Sequence, residues 1–188
     1  MFCSQCEQTA KGTGCTVAGV CGKDGLTAAL QDLLIYVSKG IAMYGHRARA
    51  LGARNTTVDR FLIEALFTTA TNVNFDPASL QTKLDHAAEM RNVAKKLYED
   101  ACRLRKHKPG TLTGTGPVAF VPARSLDDLV KQAVDIGVEA REKKIGDDIL
   151  GLQELLICGL KGTATYADHA MILGKEDEQV YAFFHEAL

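Results

Sequence analysis

Apolar residues recur every three or four positions over most of this chain, the period of a helix that buries one face. Between Thr27 and Leu51 the stripe is Leu30, Leu33, Leu34, Val37, Ile41 and Tyr44, with Gly52 placed to end the helix. A second helix is expected ahead of FLIEALF, capped by Asn55 or Thr56, with Thr56 and Asp59 in capping-box spacing. Asp76–Pro77 is a start signal for a third helix, with Asp as cap and Pro in the first turn. Its buried face is Leu80, Leu84, Ala87, Ala94, Tyr98 and Ala101, and it reaches about Arg105. Residues 108–124 lose the period and hold three of the four prolines, so they read as a connector, with VAFV as a short extended piece. Ser125 and Asp128 form another capping box ahead of LVKQAVDIGVEA, and a long helix follows from about Asp148 to Leu173.

The pattern repeats. Residues 30–66 laid over 152–188, an offset of 122 without a gap, agree at 17 of 37 positions. Residue usage alone gives roughly two or three such matches. Lys39–Gly40 falls on Lys161–Gly162, Tyr44 on Tyr166, Arg47 on His169 and Ser38 on Leu160. A helical unit has been duplicated. The first copy runs on into a third helix, whereas the second reaches Leu188 inside an amphipathic helix carrying Val180, Phe183, Phe184 and Leu188. The expected architecture is mainly α: a cysteine loop (1–26), a first three-helix-type bundle (27–107), a connector (108–124) and a second, incomplete bundle (125–188). The chain reads as the front part of a longer protein; the alternative is a natural truncation whose missing helix comes from a partner chain.

Composition narrows the function classes. With 22 basic and 23 acidic residues the net charge is −1, which argues against nucleic acid or an anionic membrane as the main partner. The best membrane-span candidate, LLIYVSKGIAMY, is interrupted by Lys39 and Gly40. M-F-C at the start leaves no charged and apolar leader ahead of the cysteines, so the expected location is cytoplasmic.

Candidate chemistry concentrates at the amino end. Cys3, Cys6, Cys15 and Cys21, four of six cysteines, are spaced C-x2-C-x8-C-x5-C among small residues and turn formers. A C-x2-C pair aims two sulfurs at one atom, and two more from a short return loop can close a four-thiolate cage. Glycines in the loop let backbone N–H groups turn toward bound sulfur. One C-x2-C pair followed by two single cysteines is closer to iron–sulfur loops than to paired zinc knuckles. Zinc and, in an oxidising compartment, disulfides are the other readings.

The segments MFCxQCEQT, GC-T-V-x-G-V-CGK, LQDLLIY with its KG, and LLICGLKG-x-A-x-YADHA together resemble the hybrid-cluster proteins, also called prismane proteins or hydroxylamine reductases. The resemblance covers essentially the whole chain. It implies that Cys3, Cys6, Cys15 and Cys21 ligate a 4Fe–4S cluster, with 2Fe–2S or adventitious zinc as alternatives. It further implies that a hybrid iron–sulfur–oxygen cluster, where hydroxylamine or nitric oxide is reduced, is held by further domains whose ligands this sequence lacks. The piece is then an electron-entry domain, without a catalytic residue of its own. Its partners would be a redox donor protein and the remaining domains of the same polypeptide, with no nucleic acid and no membrane. The competing function is a zinc-stabilised helical interaction module without redox role.

Other residues carry milder expectations. Cys102 and Cys158 read as buried packing residues. His169 reads as a helix-surface residue rather than part of a relay with Asp168 and Tyr166, and His46, His86, His107 and His185 have no ligand spacing. Lys11 and Lys23 flank the loop, either to offset thiolate charge or as solvated groups. Gly40 and Gly162 are expected at close helix–helix contacts, and Glu176-Asp177-Glu178 as helix N-terminal charge.

Overall fold

The computed structural model describes residues 3–6, 14–110, 112 and 116–188. Among the described residues there are seven helices: α1 (Gly25–Ala50), α2 (Thr56–Thr68), α3 (Pro77–Leu104), α4 (Leu126–Ile136), α5 (Val138–Ile145), α6 (Asp147–Ile172) and α7 (Glu178–Ala187). The fold is mainly α, and the only β-pairing among those residues is an isolated bridge between Cys3 and Cys15.

Caps set the helix starts. Asp24 accepts from the Thr27 backbone N–H at 2.7 Å and begins α1 two residues before the expected start. Asn55, not Thr56, caps α2, accepting from Thr57 and Val58. Asp59 is thereby released from the expected capping box and is buried elsewhere. Asp76 caps α3 with Pro77 in its first turn, and Ser125 caps α4 as expected. The segment expected as one helix after Ser125 breaks at Gly137, whose extended ψ of 173° ends α4 and opens α5. VAFV is not extended: it enters from a turn closed by Ala119 N–H on the Gly116 carbonyl at 3.1 Å.

The duplication is plain in the backbone. Adding 122 to the bounds of α1 gives those of α6, and α2 and α7 begin 122 residues apart. Gly52 (φ +84°) and Gly174 (φ +68°) end the two long helices in the same left-handed conformation. Each hairpin's first helix lies on the other's second: α1 contacts α7, and α6 contacts α2.

α1 is the central helix. Its whole expected stripe is buried, and it packs along α3 and α4. By length and mean hydropathy (1.2 over its best window) it is apolar enough to cross a membrane, contrary to the expectation from the Lys39–Gly40 interruption, but 72% of that window is buried inside the fold. That is the profile of a core helix. On α6 the counterparts of Leu30, Leu33, Leu34 and Tyr44 are exposed: Leu152, Leu155, Leu156 and Tyr166. The face of α6 directed at the first hairpin (Ile157, Leu160, Lys161, Ala164) is buried.

Gly40 and Gly162 part company. A Cβ on Gly40 would lie 2.4 Å from the Pro117 carbonyl oxygen, so the connector backbone, rather than the expected second helix, makes the close approach. Gly162 has nothing within 4 Å of such a Cβ, and the expected packing is absent there. Arg91 holds the connector down, donating to the Phe120 carbonyl from a largely buried position.

Between the hairpins a buried charge network forms. Asp59 of α2 meets His185 of α7 (Oδ1–Nε2 2.8 Å) and Arg49 of α1 (Oδ2–Nη2 2.6 Å). Asp177 caps α7 as the acidic run predicts, while Glu178 also binds Arg49 and Arg54, and Glu176 binds Arg60.

Candidate metal centre

The amino-terminal loop lies against the start of α1. Cys3 and Cys15 form a hydrogen-bonded antiparallel pair: Cys15 N–H donates to the Cys3 carbonyl at 2.7 Å, and Cys3 N–H to the Cys15 carbonyl at 3.4 Å. Residues opposed in this way project their side chains to one face. Cys21 sits in a turn closed by Gly22 N–H on the Gly19 carbonyl (2.9 Å) and Gly19 N–H on the Lys23 carbonyl (3.0 Å). That turn needs its glycines, since a Cβ on Gly19 would fall 2.6 Å from the Lys23 oxygen and Gly22 has φ +88°.

All four thiols are free, with Cys15 buried and Cys3, Cys6 and Cys21 partly so. None is in a disulfide, so four potential thiolate donors share one loop. Burial pushes the Cys3 thiol up, and the Cys15 sulfur and Asp32 add to the effect, while the Gln5 backbone hydrogen bond and the Lys23 charge oppose it. Such N–H and cationic partners favour a thiolate. In donor chemistry the set fits a soft metal or iron–sulfur group. Among the described residues, however, no three cysteine, histidine or carboxylate side chains are drawn together closely enough to hold an ion. The structure pairs Cys3 with Cys15 and does not gather Cys6 and Cys21 around them; residues 7–13, between Cys6 and Cys15, lie outside the described residues.

Beneath the loop is a polar relay that periodicity could not reveal. Lys23, read as either a compensating or a solvated residue, is 2% exposed. Its Nζ donates to the side-chain oxygens of Gln5 (3.0 Å) and Gln31 (2.5 Å) and lies 5.9 Å from the Phe75 ring centre. Gln31 continues to the Asn74 carbonyl, and Gln5 donates to Asp32 at 3.0 Å. Lys11 lies outside the described residues. Cys102 is buried as expected. Cys158 is not: it is exposed, and its thiol donates to the Gln5 carbonyl at 3.5 Å, because the surface it covers is the rim of a cavity rather than a helix contact.

That cavity, about 230 Å³, separates α1 from α6. Asp32, Ile35, Tyr36 and Lys39 line one wall; their partners in the repeat, Glu154, Ile157, Cys158 and Lys161, line the other. Gln5 closes the end nearest the cysteine loop, and Pro117 the end nearest the connector. Asp32 lies below the surface but faces this space, and burial raises its carboxyl to about 6, with the Lys161 charge as the main opposing influence. Burial likewise lowers the Lys161 amine to about 8, against the pull of Asp32. The retained Lys–Gly pair in both copies was the sequence signal for this feature; its meaning appears only when the two copies face each other.

His169 is on the helix surface as expected, edge-on to Phe67 at 5.6 Å. His185, read only as lacking ligand spacing, is 3% exposed and bound to Asp59.

A family profile described as Prismane/CO dehydrogenase family matches residues 1–188. Curated relatives include the hydroxylamine reductase of Geobacter sulfurreducens, 52% identical over 188 residues, all of this chain and 34% of the relative. The hydroxylamine reductases of Geobacter metallireducens and Rhodospirillum rubrum are 48% and 47% identical, again over all of this chain and 34% of the relative. The chain therefore spans about a third of the length of the curated relatives it matches.

Proposed function

From the premise that this chain belongs to the Prismane/CO dehydrogenase family, we propose that it is the iron–sulfur electron-transfer domain of a hydroxylamine reductase-like hybrid-cluster protein. Cys3, Cys6, Cys15 and Cys21 would hold the cluster, of the 4Fe–4S kind. Such a group supplies one-electron transfer at a potential tuned by hydrogen bonds to its sulfurs and by nearby charge. The whole protein would reduce hydroxylamine to ammonia, or nitric oxide, on a second cluster held outside these 188 residues, with a redox protein as donor. No residue of this chain is assigned to that reduction.

The observation that carries the reading is the Cys3–Cys15 backbone pair, which aims two free thiols to one side of a loop that also holds Cys6 and Cys21. The chain's own residues serve the loop in identifiable ways. The Gln5 backbone hydrogen bond and the Lys23 charge lower the cost of negative sulfur at Cys3. Lys23 itself is fixed by Gln5 and Gln31, so the compensating charge is held at a set position under the loop. Burial of Cys15 excludes water from one side.

The test is anaerobic preparation of the protein followed by reduction with dithionite. A visible band near 400 nm that bleaches, with iron and sulfide in equal amounts, supports the assignment. A colourless protein carrying one zinc ion would place it with structural zinc modules instead.

A further inference from the structure

The space between α1 and α6 brings together three cations, Lys39, Lys161 and Arg141, and two carboxylates, Asp32 and Glu154. The carboxylates are engaged: Glu154 by Arg141 at 2.6 Å, and Asp32 by the Gln5 side chain at 3.0 Å. Among the described residues neither lysine has a carboxylate within ion-pair distance, and Lys161 is only 6% exposed. Arg141 keeps a second guanidinium nitrogen, Nη1, buried without a hydrogen-bond partner. A buried ammonium without a direct counter-charge is costly, and so is an orphaned guanidinium N–H.

Two further observations point inward. The lysines are equivalent in the repeat, and they line one space from α1 and from α6. The space, about 230 Å³, has room for a tetrahedral oxyanion.

We propose that this cavity is a binding site for one small inorganic oxyanion, held between Lys39 and Lys161 where the two copies of the repeat face each other. Arg141 lines the same space from α5. Gln5, between Cys3 and Cys6, forms the wall toward the loop, so an anion seated here adjoins the candidate metal centre without ligating it. The proposal does not depend on which metal the loop holds.

Lysine reactivity tests it on the intact protein. Reductive methylation is followed residue by residue by mass spectrometry in inorganic phosphate and in chloride of equal ionic strength. Several-fold slower labelling of Lys39 and Lys161 in phosphate, with exposed Lys95 and Lys131 unchanged, is expected. Equal labelling in phosphate and chloride, or protection spread evenly over surface lysines, would overturn the proposal. Selenate diffused into crystals gives a second readout: an anomalous peak between the two amines is expected, and its absence counts against the site even where Lys161 proves unreactive.

Discussion

Gly40 of α1 and Pro117 of the connector meet so closely that a methyl group on Gly40 would stand 2.4 Å from the Pro117 carbonyl oxygen. Their repeat-related contrast is Gly162, which faces open space. One chain thus contains both a glycine required by contact and its unconstrained counterpart. Gly40→Ala should destabilise the fold by about 1–3 kcal/mol, overpacking exceeding the gain in helix propensity. Gly162→Ala should be neutral or stabilising by up to ~1 kcal/mol. Urea unfolding of the two variants measures the difference, and equal midpoints would refute the assigned contact.

Asp59 is the hinge of the contact between the two hairpins. Replacing it by Ala leaves His185 and Arg49 without their shared partner in a buried setting, at a cost of about 3–5 kcal/mol. Lys95 and Glu99, an exposed pair on α3, supply the control: Glu99→Ala should change stability by less than about 0.5 kcal/mol. Thermal unfolding of both variants checks the ranking.

Asp32 and Lys161 give the stability a pH dependence of predictable sign. The Asp32 carboxyl holds its proton to about 6, above its ordinary 3.8, so its contribution is fully present below 3.8 and is lost as pH rises through 6. The Lys161 amine gives up its proton at about 8, below its ordinary 10.5. Its contribution is present above 10.5 and is lost as pH falls through 8. Together they place a minimum between pH 6 and 8. Asp32→Asn should remove the fall between pH 4 and 6 and stabilise the protein at pH 7 by on the order of 1–3 kcal/mol. Denaturant midpoints of variant and parent across that range decide it; parallel curves would contradict the cause given for the shift.

The helices were legible because burial of one face imposes its period, and because Asp76–Pro77 and Ser125–Asp128 use side chains that satisfy free N–H groups locally. The repeat was legible for the same reason, and its offset reproduces the bounds of α1 and α6. What escaped depends on distant partners. Asp59 fits a capping box by spacing, yet Asn55 takes the cap and Asp59 turns inward to a histidine 126 positions away. Lys23 looks like a surface lysine until Gln5, Gln31 and Phe75 close over it. Cys158 looks like a packing residue until α6 is set across a cavity from α1. The break at Gly137 was hidden because glycine is permitted within a helix and only the extended ψ ends it. The four cysteines were legible as a cluster in sequence, and the structure pairs Cys3 with Cys15; their role as ligands is the proposal, and a cage is a matter of three dimensions that spacing does not supply.

The account turns on iron at those cysteines, so the most direct measurement is iron and acid-labile sulfide per chain in anaerobically prepared protein, parent beside Cys3→Ala and Cys102→Ala. The account predicts about four of each in the parent and in Cys102→Ala, with loss in Cys3→Ala. Iron absent from the parent, or retained in full without Cys3, would contradict it.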